Sequence, residues 1–296
     1  MSPDQEPRRR RPLRLAFWIL FWGLALVVLI TLLGPDLELY GEDLVGLIRV
    51  EGVIVDARQT VGELRRFGES PTVKAIVLRI DSPGGGVVPS QEIHDAVLRV
   101  REKHNKAVVA SMGTVAASGG YYIAAATDRI IANPGTLTGS IGVIMELANL
   151  EGLLKKVGVE SIVVKSGRYK DLGSPFRKMN EEDRHILQAV MDDVHTQFIE
   201  AVADGRSLDV ADVRSLADGR VFTGRQAKDF KLVDDLGDLD DAIRVAADLG
   251  GIEGEPKIVE PKRRFSIRDL LESRLSGMLP RLDFQTGVSL KYLMAF

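Results

Sequence analysis

The chain has 296 residues, of which 45% are hydrophobic and 27% are charged, and its formal net charge is −3. These proportions are those of an ordinary globular protein, and a slightly negative chain without a basic stripe argues against a nucleic-acid partner. The sequence contains no cysteine, which excludes disulfides, a thiol nucleophile and cysteine-ligated metal. It has no His-Glu-x-x-His motif, and we predict neither a metal nor a cofactor.

The N-terminal region predicts a membrane anchor. Residues 1–14 are polar and basic, with four arginines at positions 8–11, and residues 15–33 carry no charge. Nineteen helical residues are about 30 Å long, which matches the hydrocarbon core of a bilayer. The apolar stretch is longer than that of a secretory signal, and no small-residue cleavage site follows, which favours an uncleaved anchor. Arginines before the span and acidic residues after it predict a cytoplasmic N-terminus and a body outside the cytoplasm, in the cell membrane.

The body, residues 44–250, predicts an α/β fold with a mainly parallel sheet. Apolar β-branched runs alternate with segments of helical spacing, which is typical of parallel strands joined by crossover helices. The predicted strands are 44–55, 73–80, 107–111, 129–132 and 160–165, and the predicted helical segments are 57–67, 89–103, 180–204, 221–236 and 238–249. Residues 251–296 form a C-terminal extension in which 265–279 have amphipathic spacing.

A stretch of small residues at 112–126, MGTVAASGGYYIAAA, follows the third predicted strand. Ser118 would sit at a strand-to-helix turn with little bulk around it. The backbone amides after it would be free donors at a helix start. This geometry suits a nucleophile beside an oxyanion site. Tight packing of a helix on the sheet is the alternative.

A glycine run, Gly84–Gly86, follows the second predicted strand. No Gly-Lys-Ser/Thr follows it, which excludes a phosphate loop, and its spacing excludes a dinucleotide fingerprint. Glycine permits positive φ and lets a substrate carbonyl approach backbone amides closely. The run therefore fits a turn whose amides face a cleft, with a plain strand-to-helix turn as the alternative.

A serine nucleophile needs a proton acceptor. The chain has four histidines, His94, His104, His185 and His195. They lie in predicted helices or a charged turn, and we expect surface residues rather than bases. Lys170, in a glycine-containing loop after a predicted strand, is the remaining candidate, with Lys165 at the strand end as its rival. A lysine base must be neutral, and burial in an apolar cleft lowers the pKa of an amine.

Together these segments resemble the signal peptide peptidase A family, in its short, single-unit bacterial form. The resemblance rests on four blocks in order: DSPGGG at 81–86, AASGGYYIA at 116–124, TLTGSIGV at 136–143, and KSGRYKD with SPF within 165–176. A fifth segment at 222–243, FTGRQAKDFKLVDDLGDLDDAI, matches the usual distal part. The resemblance covers roughly residues 44–249, and blocks in sequence are far more specific than any one of them.

The resemblance implies a crotonase/ClpP-like fold and a serine protease with a Ser–Lys dyad. Matched position by position, it implies Ser118 as nucleophile and Lys170 as general base. Ser140 would be an accessory serine that orients the lysine, and the amides of Gly85 and Gly119 would form the oxyanion site.

The resemblance also implies a homo-oligomer whose active sites are shared between protomers. The implied substrates are remnant signal peptides, and other exported polypeptides are a wider class. Three other functions compete: a crotonase-type acyl-CoA enzyme, a related membrane protease with stomatin-like partners, and an inactive scaffold. For the tail, a packing helix, an interface helix, a membrane-surface contact and occupation of a substrate groove all remain open.

Overall fold

The computed structural model describes residues 18–24, 43–261 and 291–293. Of the predicted anchor at 15–33, it describes residues 18–24, which are helical and exposed. The rest of that span and the amphipathic segment 265–279 lie outside the described residues. Among those described, no helix combines the length and apolar character that a bilayer span requires. The chain divides into two units, Met1–Glu42 and Asp43–Phe296, and the second contains the α/β body.

The body is an α/β fold built on a mainly parallel sheet, as predicted. The strands are β1 Leu44–Glu51, β2 Val73–Ser82, β3 Gly84–Gly86, β4 Ala107–Ala117, β5 Arg129–Ala132, β6 Leu137–Gly139, β7 Val221–Thr223, β8 Asp235–Leu236, β9 Lys257–Val259 and β10 Lys291–Leu293. In the described part of the chain, eight of them form one sheet in the order β7-β6-β4-β2-β1-β9, with β5 beside β4 and β8 beside β5. The β6–β7 pair is antiparallel. β3 and β10 form a separate antiparallel pair.

Helices cover both faces of this sheet. They are α1 Arg58–Glu69, α2 Val87–His104, α3 Gly119–Ala125, α4 Glu151–Lys156, α5 Glu181–Arg206, α6 Val210–Leu216, α7 Gly224–Asp229 and α8 Leu239–Leu249. α8 packs its alanines and Ile243 against inward residues such as Val45 and Val77. α1, α2, α3 and α5 contribute to the larger core on the other face. Burial on both faces explains why the strands appear as continuous apolar runs.

Two predicted elements are wrong. Residues 160–165 form no strand, and their side chains are exposed, with Ile162 at 82% and Val164 at 95%. A β-branched run forms a strand only where another strand pairs with it, and within the described residues none does. The predicted helix at 221–236 is divided instead. Residues 221–223 pair with β6, and Thr223 then begins α7 through a capping box with Gln226.

The sheet positions the candidate site at the carboxyl ends of its central strands. β2 and β4 are parallel neighbours, and Ser82 near the end of β2 lies opposite Ala116 near the end of β4. The residues that follow each strand therefore emerge at the same edge, which is where open α/β sheets bind ligands. The glycine run after β2 meets the turn at Ser118 after β4.

Candidate active site

Ser118 lies at the turn between β4 and α3, where the sequence predicts it. Its backbone has φ 54° and ψ −117°, outside the well-populated regions, and such a conformation costs about 1–3 kcal/mol. Two backbone hydrogen bonds of 2.8 Å hold the turn: the Ser118 amide donates to the Gly139 carbonyl, and the Tyr122 amide donates to the Ser118 carbonyl. The sheet on one side and the helix on the other therefore fix the strained backbone.

The hydroxyl of Ser118 is buried without a partner. The residue is 1% exposed, and Oγ makes no hydrogen bond within the described residues. Leaving a buried hydroxyl unpaired costs about 1–3 kcal/mol, because the group loses its water and gains nothing in return. The described part of this chain thus holds a desolvated hydroxyl whose hydrogen-bonding capacity is unused.

The two predicted oxyanion turns touch each other beside this serine. A methyl group on Gly84 would lie 2.6 Å from the Gly119 nitrogen, and one on Gly85 would lie 2.1 Å from the Ile54 carbonyl oxygen. Gly84 also has φ 98°, a conformation that favours glycine. Both the backbone conformation and the close approach require glycine here. The fold therefore brings the glycine run, through Gly84, against Gly119.

A strand from the C-terminal extension occupies the cleft beside these turns. β10 pairs antiparallel with β3, and Tyr292 lies opposite Gly85. On its other side, Lys291 exchanges two backbone hydrogen bonds with Ile144, at 3.1 and 3.3 Å. Residues 291–293 are thus held by their backbone between two segments of the body. Of the tail, residues 291–293 thus lie against the glycine run of the body.

The carbonyl of Tyr292 lies against the candidate oxyanion turns. Its oxygen would be 2.1 Å from a methyl group on Gly84 and 3.2 Å from one on Gly119. Gly119 directly follows Ser118 in the chain. The bound strand therefore places a peptide carbonyl beside Gly84 and Gly119, the second of which directly follows the candidate nucleophile.

The side chain of Tyr292 fills an aromatic pocket and is 0% exposed. Its ring stacks on Tyr122 at 5.2 Å and packs against Phe198 at 4.7 Å. Its hydroxyl donates to the Val194 carbonyl at 3.2 Å. Burial raises the pKa of Tyr292 above its ordinary value. The sequence does not predict this pocket, because Tyr292 lies almost 100 residues from Phe198 and no local pattern joins them.

Lys170 lies at the surface, in the polar loop after the exposed 160–165 segment. Since Ser118 Oγ has no partner in the described residues, the two members of the predicted dyad are not hydrogen-bonded within this chain. The rival, Lys165, forms an ion pair of 2.6 Å with Asp171. The fold therefore assembles the serine and the glycine amides but does not bring the lysine to them.

Ser140, the predicted accessory serine, lies close to the candidate nucleophile. It follows Gly139, whose carbonyl accepts the Ser118 amide, and its own amide donates to the Arg220 carbonyl at 2.8 Å. A cavity of about 730 Å³ opens beside it, lined also by Ile144, His195 and Leu293. The cleft thus continues beyond the bound strand on the side of Leu293.

Two histidines depart from the expectation of surface positions. His94 is 8% exposed, its ring packs 4.8 Å from that of Tyr122, and burial lowers its pKa. The Nε2 atom of His195 is buried and unpaired within the described residues. His94 lies on the inner face of α2, and its spacing three residues before the buried Val97 is the signal that reveals it.

Comparison with known proteins identifies the family. Residues 100–253, slightly more than half of the chain, match the model of peptidase family S49. This chain belongs to peptidase family S49. The matched residues of this S49 peptidase include Ser118, Ser140 and Lys170, whereas the glycine run of β3 precedes them.

Several relatives carry peptidase names. A candidate protease of Synechocystis sp. is 49% identical over 207 residues, which cover 70% of this chain and 74% of that protein. A candidate signal peptide peptidase SppA of Enterococcus faecium is 37% identical over 209 residues, covering 66% of this chain and 60% of its own. The chloroplastic serine protease SPPA of Arabidopsis thaliana is 34% identical over 257 residues, which cover 82% of this chain and 38% of that protein. The S49 peptidase is thus a serine peptidase of the SppA type.

Proposed function

We propose that this S49 peptidase is a membrane-anchored endopeptidase that cleaves remnant signal peptides, with Ser118 as nucleophile and Lys170 as general base. The observation that carries the proposal is the strand Lys291–Leu293, which the cleft holds by backbone pairing with β3. Addition of a strand to an exposed backbone edge is a common way to bind extended polypeptide. An acyl-CoA enzyme, the competing function, has no need of such an edge.

In this proposal the dyad forms between two protomers. Ser118 is buried and lacks a partner among the described residues, while Lys170 is exposed in the same chain. The segment before the lysine loop is exposed and apolar, with Val159 at 53% and Ile162 at 82%. Unpaired β-branched segments favour pairing with another chain. A neighbouring copy that covers this segment would bring Lys170 into a cleft that excludes water.

The chemistry follows from these positions. Neutral Lys170 takes the proton of Ser118 as Oγ attacks the peptide carbonyl carbon, and the amides of Gly85 and Gly119 donate to the oxyanion. Each such donor is worth about 3 kcal/mol. The C–N bond then breaks, and the lysine ammonium gives its proton to the leaving amine. Water, deprotonated by the same lysine, hydrolyses the acyl-enzyme, and Ser118 regains its proton. Ser140 orients the lysine.

The proposed substrates and location agree with each other. Anchoring through residues 15–33, with a cytoplasmic N-terminus and an extracytoplasmic body, would hold the cleft near the bilayer, where apolar remnant signal peptides collect. The aromatic pocket that receives Tyr292 supports an apolar side chain before the bond to be cleaved.

The test uses two inactive variants of the full chain. Ser118→Ala and Lys170→Ala should each abolish hydrolysis of a fluorogenic peptide and leave assembly unchanged. If sites are shared head to tail, co-assembly of the two variants in equal amounts should restore about a quarter of wild-type activity, because a quarter of the sites then contain both groups. No recovery on mixing would reject the shared site, and an active Lys170→Ala protein would reject the dyad.

A further inference from the structure

The loop that carries Lys170 is fastened to the first turn of α5 by charged side chains. Arg177 donates from Nε to Asp171 Oδ2 at 2.9 Å and from Nη2 to Asp171 Oδ1 at 3.2 Å. Through Nη1 the same guanidinium donates to Asp183. Lys165 adds a hydrogen bond of 2.6 Å to Asp171. One arginine thus bridges the residue next to Lys170 and the start of a long helix.

At the helix end of this bridge, the Asp183 carboxylate is held in place by the helix itself. The Asp183 amide donates to the Asn180 side chain at 2.7 Å, and the Asn180 amide donates to the Asp183 carboxylate at 3.3 Å, which completes a capping box. The side chain of Asp183 is 3% exposed. A carboxylate in this position is also stabilised by the helix dipole. Arg177 therefore ties the loop to a carboxylate that the helix itself holds in place.

The loop end of the bridge is also ordered and charged. The side chain of Asp171 is 10% exposed, and hydrogen bonds from Arg177 and Lys165 lower its pKa to about 2. Bidentate pairing of arginine with a carboxylate restricts its direction as well as its distance. Lys170 itself has no ion pair or hydrogen bond to its amine within the described residues. The direction of its side chain thus depends on the backbone that Asp171 fixes.

We propose that Arg177 is a positioning residue. It clamps Asp171 to Asp183 and so points the Lys170 amine at the Ser118 hydroxyl of the active site to which this lysine contributes. This inference rests on the proposed function of Lys170 as base. A base displaced by about 1 Å loses on the order of 100-fold in rate. The clamp therefore acts on the rate of the chemical step and not on the binding of the peptide strand, which involves β3 and Ile144.

The experiment compares kcat and KM for peptide hydrolysis by the full-length protein. Arg177→Gln should lower kcat about 100-fold and leave KM within about twofold of wild type. Arg177→Lys keeps the charge but loses the bidentate pairing, and kcat should fall about 10-fold. Arg244→Gln is the matched control, because Arg244 donates to Asp241, the corresponding capping-box aspartate of α8. It should leave both constants unchanged.

Lys170→Ala, measured in parallel, separates the clamp from the dyad. If it is inactive while Arg177→Gln keeps kcat within twofold, the clamp is refuted and the dyad stands. If Lys170→Ala is active, both are refuted. A fall in kcat accompanied by an equal rise in KM would also refute positioning, since it indicates general damage to the cleft. Should Arg177→Gln fail to assemble, Arg177→Lys decides: a wild-type kcat overturns the proposal.

Discussion

Substitution of Gly84 by alanine tests whether the glycine turn is the edge at which substrate binds. The new methyl group would lie 2.1 Å from the Tyr292 carbonyl oxygen and 2.6 Å from the Gly119 nitrogen. Carbon atoms normally keep about 3.5 Å from such neighbours, so a bound carbonyl must move by more than about 1 Å. A displacement of this size costs on the order of 100-fold in kcat. We expect Gly84→Ala to lose at least that much peptidase activity.

The same substitution also strains the backbone, and a control separates the two effects. Gly84 has φ 98°, where an alanine costs about 1–2 kcal/mol. Gly254 has φ 84° with no atom within 4 Å of a methyl group at that position. Gly254→Ala therefore introduces the same backbone strain, but its methyl group does not collide with neighbouring atoms. For a domain of this size, 1–2 kcal/mol corresponds to a fall in Tm of about 2–8 °C.

Activity against a fluorogenic peptide and Tm by calorimetry are measured for both variants. We expect Gly254→Ala to lose a few degrees and keep the wild-type kcat, and Gly84→Ala to lose at least as much in Tm together with most of its kcat. Wild-type hydrolysis by a folded Gly84→Ala protein would show that substrate does not approach this backbone, and the proposed oxyanion site would be wrong.

Two further predictions concern the tail and a buried histidine. Deletion of residues 291–296 removes the strand that competes for the cleft, so KM for a free peptide should fall while kcat stays constant; an unchanged KM would count against the competition. Burial against Tyr122 lowers the pKa of His94 more than its contact with Asp95 raises it. As the pH falls, this histidine therefore binds a proton in the unfolded state at a higher pH than in the folded state. The free energy of unfolding consequently decreases as the pH drops below about 6.5. The Tm of His94→Gln should vary less between pH 7 and 5.5 than that of wild type, and parallel curves would contradict this.

The fold was largely predictable because its central strands are buried on both faces. Their apolar β-branched runs are unambiguous, and the structure has strands at 44–51, 73–82 and 107–117, close to the predicted ranges. The meeting of Ser118 with the glycine turns was also predictable, since the carboxyl ends of neighbouring parallel strands share one edge.

The features that the sequence does not predict depend on contacts between distant segments. Residues 160–165 have strand-like composition, but a strand needs a partner, and the described body supplies none. The pocket for Tyr292 is formed by α3, α5 and the C-terminal strand. The residue pattern within one segment does not predict contacts with segments that are distant in the sequence.

The helix α5 lies against both parts of the proposed chemistry. Its first turn holds Arg177 through Asp183, and three to four turns further on Val194 and Phe198 line the pocket of Tyr292. A capped helix of 26 residues is about 39 Å long. If sites are shared between copies as proposed, a peptide that enters one pocket contacts the same helix that, through Asp183 and Arg177, positions the lysine of a neighbouring site. Turnover would then rise cooperatively with peptide concentration, and a strictly hyperbolic dependence of rate on concentration for the full-length protein would exclude this coupling.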